Sequence, residues 1–124
     1  MITLQAPPLA DIADAVEKAA DHIDKVGHHR GHPYDPRKVD GGMKREEVPA
    51  SADGAIRIAV YGTYIPPVTV TAAQVDLVFA AEQAVEAHVE QRIDRWNDDP
   101  KKRKAQIVKG LRDTAAGLRA GVSA

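Results

Sequence analysis

The chain has 124 residues, 44% of them hydrophobic, with 17 Lys and Arg against 18 Asp and Glu. This length predicts one domain spanning 1–124, and the balanced charge excludes a generally basic nucleic-acid coat. The absence of cysteine excludes disulfides, thiol catalysis and cysteine zinc sites, and suits a reducing cytoplasm.

The stretch Met1–Pro8 lacks the charged start and apolar run of a signal peptide, and no apolar segment reaches the roughly 18 residues of a membrane span. A soluble, cytoplasmic protein without a membrane partner is therefore expected. Much of the apolar content is Ala and Val, with one Phe, one Trp and three Tyr, so each side chain buries little area and a homo-oligomer interface would add stability. Charge is unevenly placed. Residues 1–100 hold 17 acidic and 10 basic groups, whereas 101–124 hold one acidic and seven basic. A basic end of this kind suits an acidic partner or head-to-tail self-docking.

From Leu9, the spacing of Ile12, Val16, Ala19, Ala20, Ile23 and Val26 predicts a helix over 8–26, with Gly27 as its stop. Residues 28–54, with three Pro and four Gly, read as a long irregular loop draped over the domain. Ile56-Arg57-Ile58-Ala59-Val60-Tyr61 alternates like a strand. Its only extended counterpart is Val68-Thr69-Val70, however, and Asp53 can serve as an N-cap for a short helix instead. Thr71 and Gln74 form a capping box opening a helix that runs to about Arg95, with Val75, Val78, Phe79, Val85, Val89 and Ile93 on its inner face and Glu82 and Glu86 interrupting or flanking it. Asn97-Asp98-Asp99-Pro100 reads as a stop followed by a start, predicting a last helix over roughly 100–119 with Ile107, Val108, Leu111, Ala115 and Leu118 inward. Gly110 weakens that helix by about 1 kcal/mol relative to Ala.

Four of five histidines, His22, His28, His29 and His32, fall within eleven residues. A metal site of three imidazoles is sterically conceivable there, but no HExxH spacing or cysteine supports it, and a solvated turn is the simpler reading. The carboxylate pairs Asp21/Asp24, Glu46/Glu47 and Asp98/Asp99 fall on a helix surface, in a charged loop and at a helix cap, which are poor places for acid–base chemistry. No nucleophile elbow, phosphate-binding glycine loop or dinucleotide fingerprint is present. The expectation is a non-enzyme with no cofactor, no catalytic residue and no metal ligand.

The tail of the sequence supplies a candidate interaction surface: Trp96, Arg92, Arg95, Lys101, Lys102, Arg103 and Lys104. Four cations in one helical turn oppose the helix dipole at about 0.3–1 kcal/mol each. Trp96 is expected to pack between the last two helices, and would mark an interaction hot spot if exposed.

Three stretches carry a family resemblance. They are the Ala-rich helix ending in a glycine-bounded turn (Ala19 to Gly31), Asp53-Gly54 followed by a short apolar helix to Gly62, and Trp96-Asn97-Asp98 followed by Ile107 to Leu118. Together they resemble a family of small actinobacterial and actinophage proteins, the domain of unknown function 6197 type. That family usually has a Trp after the first glycine and a Cys in the second stretch, where this chain has His28 and Ile56-Arg57-Ile58. The resemblance implies an α-helical fold, favours helix over strand for 55–62, and transfers no catalytic residue. The expected architecture is thus all-α, a small bundle of three long helices plus one short helix, with the irregular loop 28–54. The expected function is that of a non-catalytic accessory protein of phage or mobile-element type, binding a host or phage protein in the bacterial cytoplasm. The alternative is a nucleic-acid-binding regulator using the basic C-terminal helix.

Overall fold

The computed structural model describes residues 6–44, 47–63 and 66–123. Met1–Gln5, in the stretch read for a leader, and Glu46 of the Glu46/Glu47 pair lie outside the described residues. Six helices are present among those described: α1 (Leu9–Val26), α2 (Pro36–Asp40), α3 (Ala52–Tyr61), α4 (Ala72–Val89), α5 (Ile93–Asp98) and α6 (Lys104–Ser123). The all-α class holds, but α2 and α5 are additions to the expected three long helices and one short. Extended pairing among the described residues is limited to two isolated bridges, from Ala50 to His28 and to Tyr34.

Helix α1 is the hub, in contact with α6, α3 and α4. Its buried residues Ile12, Ala13, Ala15, Val16, Ala19, Ala20 and Ile23 cover more than one face, which lets a single helix serve three neighbours. Alanines among them let α6 approach closely, so that Ile107, Leu111 and Ala115 are fully buried against the same core. Each fully buried Ile or Leu contributes about 2 kcal/mol by transfer from water. Outside the core, Arg112 on α6 reaches Glu17 at 2.9 Å, Asp21 at 2.8 Å and Asp24 at 3.4 Å, while Arg119 reaches Asp14 at 3.1 Å. Increasing numbers on α1 thus meet decreasing numbers on α6, and the two helices run antiparallel. The Arg112 guanidinium is held above its ordinary pKa, first by its hydrogen bond to Asp21.

Several expected boundaries shift, each for a local reason. The segment 28–54 is partly built structure: Asp35 accepts the Arg37 N–H to cap α2, and Val48 and Ala50 are fully buried. Ser51, not Asp53, caps α3, its hydroxyl accepting the Gly54 N–H at 3.0 Å. The capping box at Thr71 and Gln74 forms as expected. Helix α4 then buries Val78, Ala81 and Val85, but leaves Val75 and Phe79 facing solvent. Apolar residues surround that helix, so periodicity alone does not fix which side turns inward. It ends at Val89 because Glu90 adopts a left-handed conformation, φ 60°, at a cost of roughly 1 kcal/mol for a non-glycine residue. The Glu86 carboxylate accepts the Ile93 N–H at 2.8 Å and starts α5 as a separate helix. Pro100 sits in the following turn, and α6 begins four residues later, at Lys104.

Candidate functional site

Among the described residues, the densest polar junction is built on Asn97, near the end of α5 and only 2% exposed. Its Oδ1 accepts the His28 Nε2–H at 2.7 Å and the Ala52 N–H at 2.8 Å. Its Nδ2 donates to the His29 carbonyl at 3.1 Å and to Asp98 Oδ1 at 2.9 Å. One amide side chain thereby joins the 28–34 loop, the start of α3 and α5. Asp98 Oδ1 also accepts the Gly31 N–H at 3.0 Å, and the Arg30 guanidinium donates to the Lys102 carbonyl. Burial holds the His28 imidazole below the ordinary histidine pKa, partly opposed by its bond to Asn97, so the neutral ring is favoured.

The loop lies on α3 through Pro33, whose carbonyl accepts the Ser51 N–H at 2.9 Å. Gly54 permits this approach, since a Cβ there would stand 1.9 Å from the Pro33 oxygen. On the other side of the junction, Trp96 is 4% exposed and packs on Gly110, where a Cβ would lie 2.4 Å from the Trp96 Cζ2. Trp96 is therefore a core residue and leaves the candidate interaction surface, because the missing side chain of Gly110 gives its ring a seat. Arg92, Arg95, Lys101, Arg103 and Lys104 are exposed, and Lys102 is partly exposed. Asp98 and Asp99 do not cap α6: Asp98 holds the loop, and Asp99 Oδ1 accepts the Lys101 N–H within the turn.

The histidines part company. His22 Nε2 bonds the Val48 carbonyl, His28 bonds Asn97, and His29 stacks on His32 with ring centroids 6.1 Å apart. Among the described residues, no group of three His, Asp or Glu side chains is placed to hold a metal ion. Asp21 and Asp24 are taken up by Arg112.

A carboxyl pair that sequence spacing does not reveal joins α3 to α4. Burial and a hydrogen bond to Asp53 raise the Glu82 carboxyl from its ordinary range to about 8, so it keeps its proton at neutral pH. Asp53 Oδ1 lies 3.5 Å from Arg57 Nε one turn along α3. The only hint in the sequence is Glu82 and Glu86 interrupting an apolar helix. Asp53 also lines a half-open cavity of about 160 Å³ beside the junction, with Asp94, Asp98 and Ile93. Glu82 is not part of that lining, and the Ser51 hydroxyl there is already committed to Gly54. The cavity thus presents the carboxylates of Asp53, Asp94 and Asp98 with the His32 imidazole, but no activated nucleophile and not the proton held by Glu82.

The fold and junction define an all-α domain whose loop is locked to its helices by one buried amide. The chain belongs to the family of unknown function DUF6197, whose model matches residues 7–117 and takes in both the Asp53–Gly62 and Trp96-Asn97-Asp98 stretches. No curated protein and no solved structure matches it. Among the described residues, no helix is long and apolar enough to cross a membrane.

Proposed function

We propose that the protein is a non-catalytic accessory module of the bacterial cytoplasm, acting by inserting the outer face of α4 into an apolar groove of a host or phage protein. The observation that carries this reading is Phe79, the chain's single phenylalanine, standing 63% exposed beside Val75 at 47%. From Ala72 to Ala87 the exposed residues of α4 are Ala72, Ala73, Val75, Phe79, Gln83 and Ala87, none of them charged. Val68, fully exposed in the turn just before α4, extends the apolar surface. Asp76, partly exposed three residues before Phe79, adds one acid to this side, and an aromatic anchor on such a helix face has the chemistry of a helix-in-groove contact. A single helix face with one aromatic anchor is enclosed on several sides by a groove, which fits it better than the flat face of a second copy. The polar groups at the junction are spent on structure, which supports a non-catalytic role. The phage or mobile-element setting rests on the family resemblance, and the cytoplasm on the absence of cysteine.

Phe79→Asp should leave stability within about 0.5 kcal/mol, because no native contact of a buried kind is lost. In crosslinked capture from host cells, a defined partner should be retained by the wild type and lost by Phe79→Asp and Val75→Asp. Equal retention by the variants would overturn the assignment. A dimer in sedimentation that Phe79→Asp abolishes would give the face to self-association instead.

A further inference from the structure

Five cations without a carboxylate partner lie in and just before the turn between α5 and α6. Arg95 on α5 and Lys101, Lys102, Arg103 and Lys104 in the turn make no ion pair with any described residue. The rest of α6 behaves oppositely: Lys109 pairs with Asp113, and Arg112 and Arg119 are bound to the acids of α1. The acids nearby offset the cluster only in part: Asp94 pairs with Arg92, while Asp98 and Asp99, hydrogen-bonded to the neutral groups of Gly31, Asn97 and the Lys101 backbone, keep their charge, so five cations face two unpaired carboxylates.

Lys101 to Lys104 also stand at the positive end of a 20-residue helix, where each costs about 0.3–1 kcal/mol when exposed. Gln106 Oε1 takes the Arg103 N–H, while no hydrogen bond among the described residues takes those of Lys104 and Ala105. Arg30, anchored on the Lys102 carbonyl, adds a further cation from the loop. A positive surface held against its own repulsion fits an anionic partner.

The make-up of the patch says which kind. Trp96 is buried, and the exposed large apolar residues Leu9, Met43, Val68, Val75 and Phe79 all lie elsewhere in the chain. A protein interface draws its affinity from aromatic and apolar anchors. A phosphodiester backbone needs only cations and N–H donors, and these carry no sequence information. We propose that the α5–α6 turn, through Arg95 and Lys101 to Lys104, binds the phosphate backbone of nucleic acid without reading its sequence. This surface is distinct from the α4 face and stands independently of it.

The test is fluorescence anisotropy of the full chain with labelled DNA and RNA duplexes of about 25 base pairs, two unrelated sequences of each, across a salt series. With about four phosphates contacted, affinity should fall roughly a hundredfold between about 50 and 200 mM salt and differ little between sequences. Lys101→Glu with Lys104→Glu should weaken low-salt binding by about tenfold or more, whereas Lys101→Arg with Lys104→Arg should retain it. Thermal melts confirm that both double variants fold. No binding at low salt, or binding that charge reversal leaves unchanged, would overturn the proposal. So would a polyglutamate chain that binds as tightly as the duplexes, which would assign the turn to an acidic protein.

Discussion

The Asn97 junction and the outer face of α4 are opposites. At the junction the two polar atoms of the buried Asn97 side chain together find partners on three segments, and Trp96 fills a gap that only glycine leaves. On α4, by contrast, Phe79 and Val75 turn most or nearly half of their surface to solvent. The first arrangement specifies one geometry, because moving any segment strands a buried donor or acceptor at about 1–3 kcal/mol. The second specifies nothing within the molecule and is free to serve something outside it. The residues best suited to hold the fold and those best suited to meet a partner are thereby separated.

Asn97→Ala should test that separation most strongly. It strands the Ala52 N–H and the His29 carbonyl and frees the loop from α3, for an expected loss of about 3–5 kcal/mol in denaturant unfolding. A loss no greater than that of Phe79→Asp would erase the contrast between the two regions. Gly110→Ala is sharper in sign. In an exposed helix this change stabilises by about 1 kcal/mol, but here the new methyl meets the Trp96 ring, and a net loss of about 1–3 kcal/mol is expected. A rise in Tm would show that Trp96 does not sit on Gly110.

The smallest effect concerns pH. Glu82 has its folded pKa raised to about 8 from 4.5, so the folded chain binds a proton that the unfolded chain releases. Its stabilising contribution is fully present below pH 4.5 and is lost as pH rises through about 8. Glu82→Gln, which keeps a hydrogen-bond donor toward Asp53 without a charge, should therefore raise Tm by a few degrees at pH 8.5 and change it little at pH 5. Equal shifts at both values would refute a protonated Glu82.

Legibility followed locality. Helix α1 was readable to within a residue because its apolar spacing and the Gly27 stop lie in one stretch, and the Thr71/Gln74 box marked the start of α4 for the same reason. The inward side of α4 was not readable. Its apolar residues surround the axis, and the deciding groups were Glu82 and Glu86, which turn toward Asp53 and the Ile93 N–H. Asp98 and Asp99 read as caps for α6 because aspartate before proline has that local meaning, whereas the Gly31 N–H that takes Asp98 is 67 residues away. The histidines read as a cluster by sequence, yet His22, His28 and His29 point to three different segments.

The amino-acid order by itself determined what depends on neighbours along the chain: an α-helical fold without disulfides, the starts of α1 and α4, and the concentration of cations after residue 100. Only the packed structure decided the roles of Asn97, Gly54 and Gly110, since each meets a group brought from a distant part of the chain. It also decided which cations were used internally, giving Arg112 and Arg119 to α1 and leaving Lys101 to Lys104 to solvent. Backbone preference acts over a few residues, whereas hydrogen-bond satisfaction and close packing are settled only when remote segments meet.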